Sequence, residues 1–174
     1  MAGEWKRMRV ADACSSIVDC VNKTAPVVGY PTPYRMIRTT NIKAGRLDLT
    51  DTKYVDEETF RTWTRRAVPQ RGDVLLTREA PLGEIAIIRD EERVFLGQRI
   101  MQYRANQSVL DPRFLFYSFL GSDLQAQIHA HGGSGSTVDH IRVPDCSEFE
   151  ISLPPLEEQR AIAHILGTLD DKIE

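Results

Sequence analysis

Short apolar runs alternate with turn residues over residues 71–104, and this pattern constrains the fold most. Glycine and proline turns precede the runs at 74–77 and 84–88, and residues 93–104 supply one or two more runs. Runs of this length bounded by turn signals predict β-strands. Because neighbouring short strands must share a sheet, the middle of the chain predicts a strand-rich domain.

Helices and further strands are predicted around this sheet. Asp111 followed by Pro112 indicates a helix start, and the largely apolar residues after it predict one helix to about Ala130, buried on most sides. Residues 34–38 predict a strand whose hairpin partner is 47–50, reached through a turn at 43–46. The mixture predicts an α+β fold.

The last part of the chain has a different pattern. A strand is predicted around 149–153, and two prolines then lead into a helix. In this helix Ile162, Leu166, Leu169 and Ile173 are spaced by four, three and four residues, as in the apolar seam of a coiled coil. The same spacing also suits an amphipathic helix that packs on its own domain. The organisation expected is a domain over residues 1–153 and the start of a long helix over 154–174.

The net charge of −3 hides an uneven distribution along the chain. Residues 145–174 hold eight acidic and two basic residues, a net charge of −6, so residues 1–144 carry +3. An acidic chain is a poor candidate for binding nucleic acid, because phosphates must be neutralised by basic groups. The division at residue 145 removes this objection for the larger part of the chain.

Other classes of protein receive little support from the sequence. No apolar run approaches the ~20 residues of a membrane helix, and the N-terminus has no apolar signal region. Cys14, Cys20 and Cys146 are odd in number and form no C-x-x-C pair, which favours reduced thiols. We therefore expect a soluble, cytoplasmic protein without a membrane partner.

Catalytic and cofactor motifs are largely absent from the sequence. The glycine-rich stretch 132–137 lacks the Lys-Ser/Thr ending of a phosphate-binding loop, so no cofactor is expected. Three histidines and Cys146 lack standard zinc-ligand spacing. Asp73, Glu79 and Glu84 invite a metal-nuclease reading, but solvated turn acids are the favoured interpretation. Neither catalytic residues nor a metal site is predicted.

Arginine is the dominant basic residue, with 17 arginines against five lysines. Its planar guanidinium group suits phosphate and the edge of guanine. Three clusters place arginine beside Thr, Asn or Gln at predicted strand ends, where side chains can reach a DNA groove. These clusters supply Arg38, Thr39, Asn41, Thr77, Arg78, Gln98 and Arg99. The alternative for each cluster is a set of solvated turn residues.

Several segments, in order, resemble the specificity subunit of Type I restriction-modification systems. The matching segments are Arg38-Thr39-Thr40-Asn41-Ile42, residues 72–78, Pro81-Leu82-Gly83, Gly135-Ser136-Thr137 with His140-Ile141, and residues 151–159. The most specific of them is the Leu-Pro-Pro-Leu-Glu-Glu-Gln entry into the terminal helix.

The resemblance implies a non-catalytic subunit with two target recognition domains, each followed by a helix. Each domain reads one half of a bipartite sequence in double-stranded DNA, and the two helices pack antiparallel. The partners implied are methyltransferase subunits, which bind S-adenosylmethionine and methylate adenine, and translocating nuclease subunits. Residues 1–153 would be one target recognition domain, and 154–174 the start of the spacer helix.

The chain departs from this pattern because it holds one recognition domain and a short helix. It would then be an isolated domain, a gene fragment or a half-subunit that pairs with itself, and the helix pattern that runs to Glu174 favours truncation. We expect the loop residues Ser134, Ser136 and Thr137 to join the strand-end residues in DNA contact, and the seam of the last helix to bind a second domain or second copy. The rival hypothesis is a protein-interaction domain, or inactive remnant, that binds methyltransferase subunits without reading DNA.

Overall fold

The computed structural model describes residues 4–91, 93–133 and 138–173, and its fold is α+β as the sequence predicts. The strands are β1 (Lys6–Arg9), β2 (Cys14–Asp19), β3 (Arg35–Ile37), β4 (Ile42–Lys43), β5 (Arg46–Leu47), β6 (Lys53–Tyr54), β7 (Val74–Arg78), β8 (Leu82–Ile87), β9 (Val94–Leu96), β10 (Ile100–Ala105) and β11 (Glu150–Leu153). The helices are α1 (Val10–Ala13), α2 (Glu57–Trp63), α3 (Pro112–Leu120), α4 (Ser122–Gly132) and α5 (Leu156–Ile173). Short 3-10 turns lie at Thr39–Asn41 and Pro144–Ser147.

The central sheet is antiparallel, with the strand order β2-β10-β7-β8. Both of its faces are buried, which explains why β7 is a continuous apolar run instead of an alternating one. Val74 and Leu76 pack with Phe116 of α3 in the main core, whereas Leu75 packs on the opposite face with Ile37. Successive side chains of one strand therefore support two separate clusters.

Helices α3 and α4 cover the first face of this sheet. The Asp111 side chain accepts hydrogen bonds from the backbone N–H groups of Arg113 and Phe114, and Pro112 occupies the first helical position, as the sequence predicts. The prediction of one helix to Ala130 is wrong. Gly121 has extended backbone and separates α3 from α4, which the apolar pattern alone does not reveal.

Strand β3 has different partners from those predicted. It pairs with β6 in antiparallel and with β9 in parallel orientation, whereas the turn after Lys43 joins β4 to β5. The predicted hairpin between residues 34–38 and 47–50 is therefore wrong. The 3-10 turn at Thr39–Asn41 changes the chain direction after β3, so the local hairpin forms one segment later.

The two ends of the described chain meet on the domain. Strand β1 pairs with β11, and α5 begins directly after that strand and packs on α3. Gln159 is buried and ties the helix to the domain by accepting from Asp111 N–H and donating to the carbonyl groups of Val109 and Pro154. The boundary at residues 153 and 154 stays a prediction, and the first turns of α5 belong to the same packed core.

The buried carboxylate of Asp73 organises the start of β7. It accepts hydrogen bonds from the N–H of Gln70, from Gln102 and, in bidentate fashion, from Arg104. The side chain of Asp73 is 1% exposed and that of Arg104 26% exposed. The hydrogen bonds that Arg104 donates to Asp73 raise the pKa of the Arg104 guanidinium. This buried carboxylate therefore ties the loop before β7 to strand β10.

Removal of this charge should destabilise the fold. In Asp73→Asn the amide cannot accept the bidentate pair, and Arg104 loses its counter-charge, so we expect the free energy of unfolding to fall by about 3 kcal/mol. The matched control is Glu57→Gln, which removes the exposed ion pair with Arg61 and should cost less than about 1 kcal/mol. Urea denaturation of both variants checks this, and equal losses would contradict it.

Candidate nucleic-acid interface

The parallel pairing of β3 with β9 places two polar loops side by side. Ile37 lies opposite Leu96, so the chain leaves both strands at the same edge. The next residues form the 3-10 turn at Thr39–Asn41 and the turn of Gln98 and Arg99. Gly97 allows this approach, because its N–H donates to the Ile37 carbonyl group at 2.7 Å and an added Cβ would lie 2.5 Å from that oxygen.

A cleft of about 240 Å³ lies between these loops and the loop after β2. Its polar lining consists of Lys23, Thr24, Arg38, Thr39, Gln98 and Arg99, above a floor that includes Ala25, Met36 and Gly97. Four of the seven strand-end residues predicted from the sequence therefore meet here. Lys23 and Thr24 were not predicted, because their loop carries no motif and they join the site only through the fold.

The two arginines of the cleft are held by acidic residues and remain partly accessible. Arg38 donates to the Asp51 carboxylate at 3.0 Å, and Arg99 lies 3.3 Å from the Glu79 carboxylate. The side chains of Arg38 and Arg99 are 34% and 50% exposed. Exposed ion pairs of this kind are weak, so a phosphate or base edge can replace the carboxylate partner.

Arg99 also has an unusual backbone conformation. Its φ of +69° lies in the left-handed region, which disfavours residues with a Cβ. Its N–H donates to the buried Cys20 sulfur at 3.2 Å, which helps to hold this conformation. Strained backbone of this kind is concentrated at binding sites, where the surrounding structure maintains it.

Asn41 and Thr77 lie inside the domain and support the cleft. The Asn41 side chain is buried, accepts from Arg38 N–H and donates to the carbonyl groups of Asp48 and Asp51. The Thr77 hydroxyl oxygen is buried and accepts from Glu84 N–H. The expectation that both contact DNA directly does not fit this arrangement, because their polar atoms are already satisfied by the protein.

Arg78 lies next to the cleft, at the end of β7. Its N–H donates to the Arg99 carbonyl group, and its guanidinium donates to the carbonyl group of Ile141. The turn between β7 and β8 is linked to the cleft by Thr39, whose hydroxyl group donates to the Ala80 carbonyl group. Of the predicted loop contacts, Ser134, Ser136 and Thr137 lie outside the described residues.

The acidic residues considered for metal catalysis have structural partners. Asp73 is bound to Arg104, Glu79 pairs with Arg99, and Glu84 accepts from Ala44 N–H. The interpretation as solvated turn acids is therefore wrong for the buried Asp73. Across the part of the chain that the structure describes, no three histidine, cysteine or acidic side chains are grouped so as to hold a metal ion.

The cysteines do not form a reactive site. All three are free thiols, and Cys20 and Cys146 are buried. Burial raises the pKa of Cys14 to about 12 and that of Cys146 to about 11, so both are protonated at neutral pH.

Within residues 4–91, 93–133 and 138–173, no helix is both long and apolar enough to cross a bilayer.

Helix α5 presents an apolar stripe on the side away from the domain. Ile165, Leu169 and Ile173 are 60%, 51% and 80% exposed. Ile162 and Leu166 of the predicted seam are half-buried, and Ile162 packs against the core. Sequence reasoning missed Ile165, although the spacing of four residues to Leu169 and Ile173 was visible.

Taken together, the fold and the cleft define a class of protein: an α+β recognition domain with a polar loop surface and an attached helix. The chain matches the family described as Type I restriction modification DNA specificity domain over residues 19–174, and it belongs to that family. The resemblance predicted from the sequence is thereby confirmed. Specificity subunits are the non-catalytic components of restriction-modification complexes.

Individual relatives agree with the family assignment. The chain is 34% identical over 102 residues to the putative type I restriction enzyme MjaX specificity subunit of Methanocaldococcus jannaschii, covering 59% of this chain and 23% of that protein. It is 26% identical over 145 residues to the MjaVIII specificity subunit of the same organism, covering 80% of this chain and 34% of that protein. The chain therefore spans about a quarter to a third of these relatives.

Two solved structures confirm the fold class. The HsdS subunit from Thermoanaerobacter tengcongensis superimposes with a TM-score of 0.69 at 21% identity, over 97% of this chain and 43% of that chain. The type I restriction-modification S subunit from M. genitalium gives a TM-score of 0.65 at 17% identity, over 97% and 40%.

The separation of supporting from contacting residues can be tested by two alanine variants. Asn41→Ala leaves buried backbone groups without partners, so we expect the free energy of unfolding to fall by about 2 kcal/mol. Gln98→Ala removes an exposed side chain and should change stability by less than about 0.5 kcal/mol. Chemical denaturation measures both; a stable Asn41→Ala variant would show that Asn41 does not support the loop.

Proposed function

We propose that the chain recognises one half of a bipartite DNA target and directs the methyltransferase and nuclease subunits of a Type I restriction-modification complex to it. The observation that carries this proposal is the cleft, which gathers side chains from three separate loops at one end of the domain. Family membership over residues 19–174 supports it independently.

The side chains of the cleft suit the reading of base pairs. Arg38 and Arg99 present guanidinium forks for guanine or phosphate, and Gln98 can pair with the edge of adenine. Lys23 adds a charge suited to phosphate, and Thr24 and Thr39 supply hydroxyl groups. The reaction is left to the methyltransferase subunits, which bind S-adenosylmethionine, and to the nuclease/translocase subunits.

The charge distribution limits how tightly the isolated chain binds DNA. Residues 1–144 carry only +3, and affinity for DNA depends strongly on phosphate neutralisation. We therefore expect weak binding by the chain alone, with much of the phosphate contact supplied by the methyltransferase subunits. The site of action proposed is the cytoplasm.

Helix α5 supplies the proposed contact with protein. Its exposed stripe of Ile165, Leu169 and Ile173 is apolar, and residues 145–174 carry a net charge of −6 that repels phosphates. This surface is suited to the helix of a second recognition domain or a second copy. DNA recognition and protein assembly would then use different surfaces.

Substitution of Arg99 provides a direct test of DNA recognition. If Arg99 reads a base edge, Arg99→Ala should weaken binding to the preferred sequence by about 1–3 kcal/mol and relax the preference at one position. A contact with phosphate alone would weaken all sequences alike and reduce the salt dependence. Fluorescence anisotropy on a duplex library across several salt concentrations distinguishes these results.

The matched control is Arg65→Ala, because Arg65 is exposed and its guanidinium contacts only the Thr62 carbonyl group among the described residues. It should leave both affinity and preference unchanged. If the wild-type chain shows no sequence preference, alone or with methyltransferase subunits, the rival hypothesis of a protein-interaction domain replaces this one.

The assembly role of α5 is tested by a paired substitution. Leu169→Ser with Ile173→Ser removes apolar area that lies outside the core, so the fold should persist while helix-mediated association weakens by at least about tenfold. His164→Ser, at an exposed position of the same helix, is the control. Analytical ultracentrifugation with a complete or half subunit as partner measures the effect, and unchanged association of the double variant would refute this role.

A further inference from the structure

A second concave site lies at the far end of the β7–β8 hairpin, between α3 and α5. It has a volume of about 450 Å³. Its basic lining residues are Arg71, Arg89 and Arg113, and its apolar lining includes Ile87, Pro112 and Phe116. None of these arginines belongs to the clusters predicted from the sequence to contact DNA.

Two of the three arginines have no side-chain partner in the part of the chain that the structure describes. Among the described residues, neither Arg71 nor Arg89 forms a side-chain hydrogen bond or ion pair, although most arginines of this chain are paired. Arg113 contacts the Tyr117 hydroxyl group and lies over Gly167 of α5, where an added Cβ would overlap with its guanidinium. Among the described residues, the pocket thus combines the Arg113 guanidinium, which has protein contacts, with those of Arg71 and Arg89, which have no side-chain partner.

The acidic residues of the pocket compensate this charge only in part. The Asp111 carboxylate is committed to the start of α3, where it accepts from two backbone N–H groups. Asp171 is exposed at the rim. The pocket therefore favours an anionic group above an apolar surface.

The position of the pocket separates it from the DNA cleft. Arg71 precedes β7 and Arg89 follows β8, whereas Arg78 and the Thr39 contact with Ala80 lie at the turn of the same hairpin. The five residues of β7 place the two ends about 16 Å apart. The pocket and the cleft therefore lie at opposite ends of this hairpin.

The pocket is also distinct from the apolar stripe of α5. Gly167 and Asp171 line the pocket, while Ile165 and Leu169 belong to the stripe. At 100° per residue, position 167 lies about 200° around the helix from position 165. A helix that covers the stripe therefore leaves the pocket open.

We propose that this pocket docks an acidic segment of the methyltransferase partner, with carboxylates on Arg71 and Arg89 and an apolar side chain on the floor. Charge complementarity favours an acidic occupant. The apolar floor favours a protein segment over a nucleic-acid backbone, since phosphates need no apolar surface. The inference rests on the proposed function, because it names a subunit of the same complex as partner.

Charge reversal tests the docking site in the assembled complex. With co-purified methyltransferase subunits, Arg89→Glu should weaken assembly by at least about tenfold and lower its salt dependence. Arg65→Glu, at an exposed arginine outside the pocket, should change it by less than about twofold. DNA binding by the Arg89→Glu chain alone should equal that of wild type.

A photo-crosslinker at position 89 identifies the occupant. The expected product joins the chain to a segment of the methyltransferase rich in Asp and Glu. Crosslinks to DNA, to a second copy of the chain or to a non-acidic segment would overturn the proposal, as would normal assembly of Arg89→Glu. If Arg89→Glu binds the methyltransferase normally while Leu169→Ser with Ile173→Ser weakens association with a second subunit, the pocket inference fails and the proposed function stands. If wild type does not bind methyltransferase, both fail.

Discussion

The four-stranded sheet, buried on both faces, is the constraint on which the other features depend. Because β7 supplies side chains to two cores, helices must cover one face and the short strands around β3 the other. The short strands that cover one face include β3 and β9, and their pairing creates the cleft. On the other face, the covering helix α3 lies where α5 can pack on it. One buried sheet therefore positions the polar loops, the basic pocket and the helix.

Local sequence signals predicted many elements but not their long-range partners. The helix start at Asp111 was correctly predicted from its own residues, since a cap is a local interaction. The hairpin assigned to residues 34–38 was wrong because strand pairing depends on which apolar faces become buried together, and β3 joins a strand far along the chain. Gly121 ended a helix whose apolar pattern continues across it.

The candidate site shows the same limit. Arginines and amides at strand ends indicated the right loops, and four of those residues line the cleft. Asn41 and Thr77 have the same residue types, but their side chains bind the protein itself. Lys23 and the three arginines of the pocket between α3 and α5 carry no motif, so only the folded chain reveals them. Residue type predicted which side chains are chemically suited to contact DNA, and burial decided which of them are accessible.

We propose that the cleft sets the DNA sequence at which the partner subunits act. The most direct measurement is a map of methylated adenines in cells that express an intact specificity subunit in which residues 1–153 replace one recognition domain. We expect one half of the methylated bipartite sequence to change and the other half to stay, and we expect Gln98→Ala to alter the new half only. Methylation that keeps both original halves, or that is lost from a complex that still assembles, would contradict it.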